Sequence, residues 1–255
     1  NDIIDAPKDR QHPIKKNRPV ASGKLSEGLA WVLAFVLVLT PLIYSALYIG
    51  TFFTVALVAY IFIQIASSSY FRGIIILDSL VVASGFVIRV FAGGFAVNTS
   101  ISSWLALTTI GVSLLLAFGK RRSEKTIMSK YVGEGGELKT RATLKHYPDK
   151  LLDSMISMSA TYTIITYSLF VFQISPRGAG RIISEFLPST LKEPKWMMLT
   201  IPLVIYGVAR YLFVIYEKEE GESPERVLLS DKALLLSVVW WGIATTAVIY
   251  LFKTS

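Results

Sequence analysis

The sequence contains no cysteine and only two histidines. The absence of cysteine excludes a disulfide framework and a thiolate metal site. Charged side chains are also scarce, at 17% of the 255 residues, whereas a soluble domain usually carries about 25%. Hydrophobic residues make up 53% of the chain, and the mean hydropathy is +0.53. The composition therefore indicates a membrane protein and excludes an ordinary soluble domain.

The net charge of +8 is the one feature of the composition that suggests a nucleic-acid partner. The basic residues, however, lie in polar segments between apolar runs. In that position the positive-inside rule of membrane proteins accounts for them. We therefore expect the lipid bilayer, and no nucleic acid, as the large partner of this chain.

Seven apolar runs approach or reach the length of a membrane-spanning helix, which needs roughly 20 residues. They cover residues 31–48, 51–67, 74–97, 104–118, 155–174, 196–216 and 233–252. All are longer than ordinary strands, and the polar segments between them are too rich in charge to be buried. The sequence therefore predicts an all-α, polytopic transmembrane helix bundle that forms a single domain over residues 1–255.

Lysine and arginine predict which side of the membrane each polar segment faces. Segments 1–26 and 119–150 carry six and nine basic residues, whereas the turns near Tyr48 and Asn98 carry none. Because basic loops stay inside, we expect a plasma-membrane protein whose active site faces the cytoplasm. The segments predicted to be cytoplasmic are 1–26, 68–73, 119–152 and 217–231.

Segment 175–195 is the exception to this distribution, because it carries four basic residues on the side predicted to be external. Apolar and polar residues alternate within it in a way that suits a short amphipathic helix in the membrane interface. A plain loop explains the segment equally well. With seven spans, the chain would end outside the cell, at Ser255.

The first polar segment carries three regularly spaced aspartates. Asp2 and Asp5 lie three apart and share one face of a helix. Pro7 is expected to end that helix, so that Asp9 would reach the same place from a loop. Two carboxylates at the negative end of a helix repel each other unless a cation lies between them. Mg²⁺ usually takes one or two carboxylates together with substrate phosphates, and the pattern predicts a site of this kind.

Two interpretations of this segment compete. A lone pair of aspartates at this spacing is more often part of a solvated loop than of a metal site. Here Asn1, three aspartates and a basic cluster occur together, which favours a site for a magnesium-complexed diphosphate. In that site Lys15 and Arg18 would neutralise phosphate oxygens. His12 is expected to be a turn residue, without a part in the site.

The run from Asn1 to Asp9 resembles the NDxxDxxxD motif of the UbiA superfamily of membrane prenyltransferases. The string DRQHPIKKNRPVASG, at residues 9–23, is similar to the branch that transfers phosphoribosyl groups to decaprenyl phosphate. Further stretches resemble that branch at residues 78–94, 119–124, 147–156 and 223–234. The resemblance therefore covers nearly the whole chain.

The resemblance implies a bundle of nine membrane helices in which the NDxxDxxxD motif closes the second. Seven helices would then follow the motif, in agreement with the seven apolar runs, and two would precede Asn1. The implied bundle has a central cavity that opens sideways to lipid. A lipid acceptor would enter from the bilayer, and a charged donor would enter from the cytoplasm.

The resemblance also assigns the second long cytoplasmic segment to the site. Relatives that use prenyl diphosphates carry a second Asp-rich motif there. Asp149 and Asp153 have DxxxD spacing, but the surrounding YPDKLLD resembles the phosphoribosyl branch. The segment offers a basic run from Lys120, followed by Glu124 and Tyr147. A basic segment suits a donor that carries both a 5-phosphate and a diphosphate, because each phosphate group needs cations to offset its charge. The competing explanation is that the basic residues only mark the end of a membrane helix.

Charged residues inside apolar runs are costly and usually face a cavity or a partner. We expect Arg89 to line the site or to pair with a carboxylate, and Arg210 to extend to the membrane interface. Asp78 lies near the start of its helix and is expected to cap it. Glycines expected to permit close helix packing are Gly85, Gly93 and Gly94.

The predicted reaction is Mg²⁺-dependent transfer of 5-phosphoribosyl from phosphoribosyl diphosphate to a polyprenyl phosphate, with release of diphosphate. The predicted catalytic and metal-binding residues are Asp2, Asp5 and Asp9. The predicted substrate-binding residues are Asn1, Lys15, Arg18, Arg89, Lys120, Arg121, Glu124 and Tyr147. The expected partners are the two substrates and the bilayer, with assembly into a homo-oligomer left open.

Two alternative functions stay open. A prenyltransferase that moves a prenyl group from its diphosphate to an aromatic or glycerol-phosphate acceptor would share the fold and the first motif. A transporter or structural membrane protein would carry out no chemistry. Transporters often show paired halves with broken helices, and no such pairing is visible in the sequence.

Overall fold

The computed structural model describes residues 2–10, 15–69, 71, 74–133, 147–174, 195–218 and 224–251. Within these ranges the chain forms helices and turns and no β-strand. The α-helices are α1 Asp2–Asp9, α2 Glu27–Tyr44, α3 Thr51–Ser69, α4 Leu77–Ala96, α5 Ser103–Gly133, α6 Asp149–Ile174, α7 Ile201–Phe213, α8 Pro224–Ser230 and α9 Lys232–Leu251. The predicted all-α fold is confirmed.

Four short helical turns complete these elements in the described residues, the first of them a 3₁₀ turn at Lys15–Asn17. A π-helical turn at Ser45–Ile49 extends α2, and another at Val214–Lys218 extends α7. A 3₁₀ turn at Trp196–Thr200 leads into α7. Gly50 has a φ of 138°, which only glycine adopts readily. It therefore allows the sharp break between α2 and α3 that the sequence predicts near this position.

Six helical stretches in the described part of the chain are long and apolar enough to cross a membrane. They are Glu27–Ile49, Leu77–Ala96, Ser103–Thr126, Asp149–Ile174, Trp196–Glu217 and Lys232–Tyr250, and Thr51–Ser67 is a shorter apolar helix. Each predicted run thus lies in a helix. Only 6% of the span Glu27–Ile49 and 39% of the span Ser103–Thr126 are buried inside the protein. Large apolar surfaces are therefore left to face lipid. The chain is a multi-pass membrane protein.

Two helices extend well beyond the apolar runs that predict them. Helix α5 continues past residue 118 to Gly133, and α6 already begins at Asp149. The polar residues added to α5 are mostly lysine, arginine, glutamate and serine, several of which favour helix. The prediction of a loop beginning at residue 119 is therefore wrong, because hydropathy marks where a helix leaves the membrane and not where it ends.

The chain forms two compact units, each with its own internal packing. Unit 1 comprises Asn1–Ile101 and Lys125–Pro148, and unit 2 comprises Ser102–Glu124 and Asp149–Ser255. In unit 1, α3 packs against α4, and a Cβ added at Gly85 would lie 3.5 Å from Gln64 Nε2. Gly85 thus lies in this contact, but a Cβ there would meet its neighbours at ordinary contact distance, so the packing does not require glycine. A Cβ added at Gly93 would meet none of the described residues within 4 Å, so the close packing predicted at Gly93 is not seen in the described part of the chain.

A directional chain of hydrogen bonds crosses the apolar interior of unit 2. Trp241 Nε1 donates to the Tyr167 hydroxyl at 2.7 Å. Tyr167 is 2.6 Å from Thr200 Oγ1, which itself donates to the Met197 carbonyl at 2.6 Å. Because the Thr200 proton is used in that bond, Tyr167 is the donor to Thr200. The chain links α6, α9 and the turn before α7.

Arg210 lies in α7 and forms a two-pronged ion pair inside unit 2. Its Nε and NH2 atoms donate to the two carboxylate oxygens of Asp231 at 3.0 and 2.9 Å. Asp231 is 2% exposed, and its Oδ1 also accepts from the backbone N–H of Leu234 at 2.9 Å. It thereby caps α9. Arg210 thus has a carboxylate partner within unit 2, and its extension to the membrane interface stays a prediction.

Candidate functional site

The NDxxDxxxD segment forms a helix through its whole acidic run. Helix α1 includes Pro7 and ends at Asp9, so the prediction that Asp9 reaches the site from a loop is wrong. Pro7 deprives the Ile3 carbonyl of its usual donor, but the helix continues for only two residues beyond it, and Arg10 N still bonds Ala6 O at 3.1 Å. With 3.6 residues per turn, the second, fifth and ninth positions share one face.

Apolar packing holds α1 in place. Ala6 is fully buried and packs in a small cluster with Val20 and Ala30, with Ile3 and Leu25 around it. These residues connect α1 to the segment that follows it and to the start of α2. The acidic face therefore belongs to a fixed helix, because apolar contacts anchor the positions between the aspartates.

Asp9 and Arg18, both predicted site residues, contact each other. Arg18 NH1 donates to Asp9 Oδ2 at 2.9 Å, and Asp9 is 6% exposed. The side chain of Arg18 is 37% exposed. Asn1 and His12 lie outside the described residues, as do the side chains of Asp2 and Lys15.

The chemistry of the α1 face fits a hard divalent cation. Among the described side chains, no three histidine, aspartate or glutamate residues gather to form a metal site by themselves, and the carboxylate of Asp2 is not among them. Mg²⁺ completes its shell with substrate phosphates and water. A face that offers one or two carboxylates therefore fits Mg²⁺ held jointly with a diphosphate.

The basic run predicted for the second segment lies in the last membrane turn of α5 and the turn after it. Arg121 is buried, and its NH1 donates to Glu124 Oε2 at 2.6 Å. Lys120 is half-buried. Glu124 is thus a partner of Arg121 one helical turn away, and it orients the guanidinium group.

Arg122 pairs with the two aspartates that have DxxxD spacing. Its Nε donates to Asp153 Oδ1 at 3.0 Å, and its NH1 lies 3.6 Å from Asp149 Oδ1. The Tyr216 hydroxyl donates to the same Asp153 oxygen at 3.0 Å. The guanidinium carbon lies 5.8 Å from the centre of the Tyr216 ring. Both carboxylates of the DxxxD pair are therefore engaged by a cation from their own unit.

Tyr147 is buried against the start of α4. It is 1% exposed, and its hydroxyl donates to Asp78 Oδ1 at 2.6 Å. Burial raises the pKa of Tyr147 above its usual value, and the hydrogen bond to Asp78 raises it further, so the hydroxyl keeps its proton at neutral pH. Asp78 is not the N-cap of α4, contrary to prediction; Ile76 holds that position, with no side-chain cap.

Arg89 lies in the middle of α4 and contacts aromatic rings. Its NH2 donates to the Tyr60 hydroxyl. Its guanidinium carbon lies 4.9 Å from the centre of the Tyr60 ring and 5.0 Å from that of Phe86. These are cation–π distances. In the described part of the chain its partners are thus aromatic, and the predicted carboxylate pairing is not seen there.

Sequence reasoning missed the roles of Asp78, Arg122 and Tyr216. Asp78 is the only acidic residue between Asp9 and Glu124 apart from Glu27, and its position beside a long apolar run was the available signal. The contacts of Arg122 and Tyr216 had no such signal, because their partner Asp153 lies 31 and 63 residues away along the chain.

Residues 1–120 match the model of the UbiA prenyltransferase family. Decaprenyl-phosphate phosphoribosyltransferase of Mycolicibacterium smegmatis is 29% identical over 98% of this chain and 75% of its own length. The protein of that name from Corynebacterium glutamicum is 29% identical over 98% of this chain and 70% of its own. The protein of that name from Mycobacterium tuberculosis is 28% identical over 98% of this chain and 76% of its own length. The all-helical, multi-pass chain is thus similar to the UbiA prenyltransferase family over residues 1–120, and to these decaprenyl-phosphate phosphoribosyltransferases over nearly its whole length.

Proposed function

We propose that the protein transfers a 5-phosphoribosyl group from phosphoribosyl diphosphate to a polyprenyl phosphate, such as decaprenyl phosphate. An oxygen of the lipid phosphate attacks C1 of the ribose. The bond from C1 to the diphosphate breaks, and its electron pair leaves with the diphosphate. The lipid phosphate is already anionic at neutral pH, so the reaction needs no general base. The proposed site faces the cytoplasm at the plasma membrane.

The observation that carries this choice of donor is the pairing of Arg122 with Asp149 and Asp153. A second Asp-rich motif serves a prenyl diphosphate only if its carboxylates can bind metal ions. Here one guanidinium group pairs with both and offsets part of their charge, and the neighbouring turn adds further cations. A cation-rich segment favours a donor that carries a 5-phosphate as well as a diphosphate. The names of the relatives in three species support the same choice.

The acidic face of α1 would hold Mg²⁺ with the diphosphate. Asp2 and Asp5 would be its main ligands, and Asn1 would contact the diphosphate. Asp9 would act with Arg18, because the two hold each other. When bound, Mg²⁺ would act as a Lewis acid on the diphosphate oxygens.

Basic side chains would stabilise the charge that develops on the leaving diphosphate. We assign this role to Lys15, Arg18, Lys120 and Arg121. Glu124 would contribute by orienting Arg121, to which it is already bonded. Arg89, which lies among aromatic rings within a membrane span, would contact the lipid substrate.

The assay that tests the proposal uses the intact protein in lipid vesicles, with labelled phosphoribosyl diphosphate and decaprenyl phosphate. We expect label in the lipid fraction, equimolar release of diphosphate and loss of turnover when a chelator removes Mg²⁺. Asp2→Asn and Asp5→Asn should each lower kcat by at least about 100-fold, because charge on the ligand is lost in a site that acts through charge. Full activity of both variants would refute the assigned role.

The family match itself favours a second candidate, transfer of a prenyl group from a prenyl diphosphate. The same vesicles are therefore tested with prenyl diphosphate and an aromatic or glycerol-phosphate acceptor. Turnover of prenyl diphosphate, with none of phosphoribosyl diphosphate, would replace the proposed function with this one.

A further inference from the structure

A four-part contact within unit 1 joins Tyr147, which the sequence predicts to bind substrate, to three residues that have no assigned part in the site. The Tyr147 hydroxyl donates to Asp78 Oδ1 at 2.6 Å and accepts the backbone N–H of Ile76 at 2.5 Å. The backbone carbonyl of Tyr147 accepts from Lys125 Nζ at 2.5 Å. Three segments distant in sequence thus meet at one tyrosine: the start of α4, the polar part of α5 and the residues before α6.

The contact is buried, and the Tyr147 hydroxyl both donates and accepts a hydrogen bond in it. Tyr147 is 1% exposed and Asp78 is 4% exposed. The one proton of the hydroxyl goes to Asp78, and its oxygen accepts from Ile76, so its orientation is fixed. Burial of a carboxylate is costly unless donors surround it, and Ser79 Oγ adds a second donor at 3.3 Å. Loss of the tyrosine hydroxyl would therefore disturb several groups together.

Ile76 makes the start of α4 dependent on this contact. Its φ is 70°, in a region that β-branched residues rarely occupy. Strained backbone of this kind persists only where its surroundings hold it. The bond from Ile76 N to Tyr147 supplies part of that hold, since no side chain caps the helix at this position.

Lys125 connects the contact to the cations that we assign to the donor. It follows Glu124 directly and lies one helical turn after Arg121 on the continuous helix α5. Because a helix is rigid over one turn, the bond from Lys125 to Tyr147 constrains the rotation of this part of α5. Lys120 and Arg121 precede Lys125 by about one turn on the same helix.

We propose that Asp78, Tyr147 and Lys125 are positioning residues, which form a lock that holds the polar part of α5 to the start of α4 within unit 1 and thereby supports binding of the diphosphate donor. The lock touches neither substrate. This role rests on the proposed function, because it acts through the cations assigned there. It concerns the donor side of the site, and the lipid acceptor should be unaffected.

The test compares Tyr147→Phe, Asp78→Leu and Asp78→Asn in the intact protein, with KM measured separately for each substrate. We expect Tyr147→Phe and Asp78→Leu to raise KM for phosphoribosyl diphosphate by roughly 10-fold to 100-fold, as loss of a buried hydrogen bond to a charged group does. KM for the lipid phosphate should stay within about twofold. Asp78→Asn keeps an oxygen that accepts from Tyr147 and should restore part of the loss.

Asp231→Asn is the matched control, since it weakens another buried ion pair that has no assigned part in the site. It should lower thermal stability and leave KM for the donor unchanged. If Asp231→Asn raised this KM as much as Tyr147→Phe, or if Tyr147→Phe changed stability alone, the lock would be an ordinary structural contact and the inference would fail.

A spectroscopic measurement tests the lock without reference to the donor. The chain has no cysteine, so Lys150→Cys provides a single site for a nitroxide label, at an exposed position three residues after Tyr147. The label should become more mobile in Tyr147→Phe and not in Asp231→Asn. An unchanged spectrum in Tyr147→Phe would overturn the lock. Absence of phosphoribosyl transfer by the unmodified protein would overturn the proposed function and leave this measurement intact.

Discussion

Carboxylates in this protein differ in whether a cation from the chain already neutralises them. Asp9, Asp153 and Asp231 each contact an arginine at 2.9 to 3.0 Å. Arginine presents a planar fork of donors and keeps its charge at any physiological pH. An aspartate held in this way is a poorer ligand for a metal ion than one that faces only water. Spacing along the sequence cannot distinguish the two states.

Arg122 permits a direct test of this distinction. Arg122→Gln should remove the positive charge beside Asp149 and Asp153 and leave the charges of both carboxylates without this partner. We expect KM for phosphoribosyl diphosphate to rise by about 10-fold, because the added negative charge repels a multiply phosphorylated donor. Arg122→Lys keeps the charge and should show a smaller rise, although it loses the planar contact with Tyr216. Equal KM values for the two variants would contradict the electrostatic explanation.

Helices in unit 2 are joined by polar contacts inside an apolar region. Tyr167→Phe should break the hydrogen-bond chain from Trp241 to Met197 in the middle and lower the free energy of unfolding by about 1–2 kcal/mol. Equilibrium unfolding in mixed micelles measures the change. Tyr206→Phe, on the exposed side of α7, is the matched control and should have little effect. Equal losses for the two variants would show that the chain of hydrogen bonds adds no stability.

The ion pair between α7 and the start of α9 predicts strong coupling between two substitutions. Arg210→Leu leaves the buried carboxylate of Asp231 without its guanidinium partner, which is costly. Adding Asp231→Asn removes the charge and keeps a side chain that caps α9. We therefore expect the double variant to be more stable than Arg210→Leu alone. If the two losses of stability were simply additive, the ion pair would carry no coupling energy.

For the molecule as a whole, the distribution of basic residues predicts orientation in the membrane. Lys150→Cys and Asn98→Cys each place a single thiol on an otherwise cysteine-free chain, and both positions are exposed. A membrane-impermeant maleimide should label Lys150→Cys from the cytoplasmic side only and Asn98→Cys from the opposite side only. Sealed vesicles of both orientations provide the comparison. The reverse pattern would place the proposed site outside the cell and exclude a cytoplasmic donor.

Much of the fold follows from local properties of the chain. Runs of apolar residues, each long enough for a helix, predict the seven helices because in a membrane the backbone must satisfy its own hydrogen bonds within each segment. The spacing of Asp2 and Asp5 predicts a shared acidic face for the same local reason, whereas the inclusion of Asp9 in the helix is seen only in the structure. The end of α5 and the start of α6 are predicted wrongly, because a helix can continue into water beyond the apolar residues that mark the membrane.

The partners of the charged side chains follow from contacts that no local pattern contains. Asp78 and Tyr147 are 69 residues apart, and Arg210 and Asp231 are 21 apart. Which of them meet depends on which helices become neighbours and on their rotation, and those are settled by the packing of many apolar side chains together. The sequence thus establishes a helical membrane protein with an acidic motif, whereas only the folded chain shows that Arg122 pairs with both aspartates of the DxxxD motif and that Tyr147 contacts the start of α4.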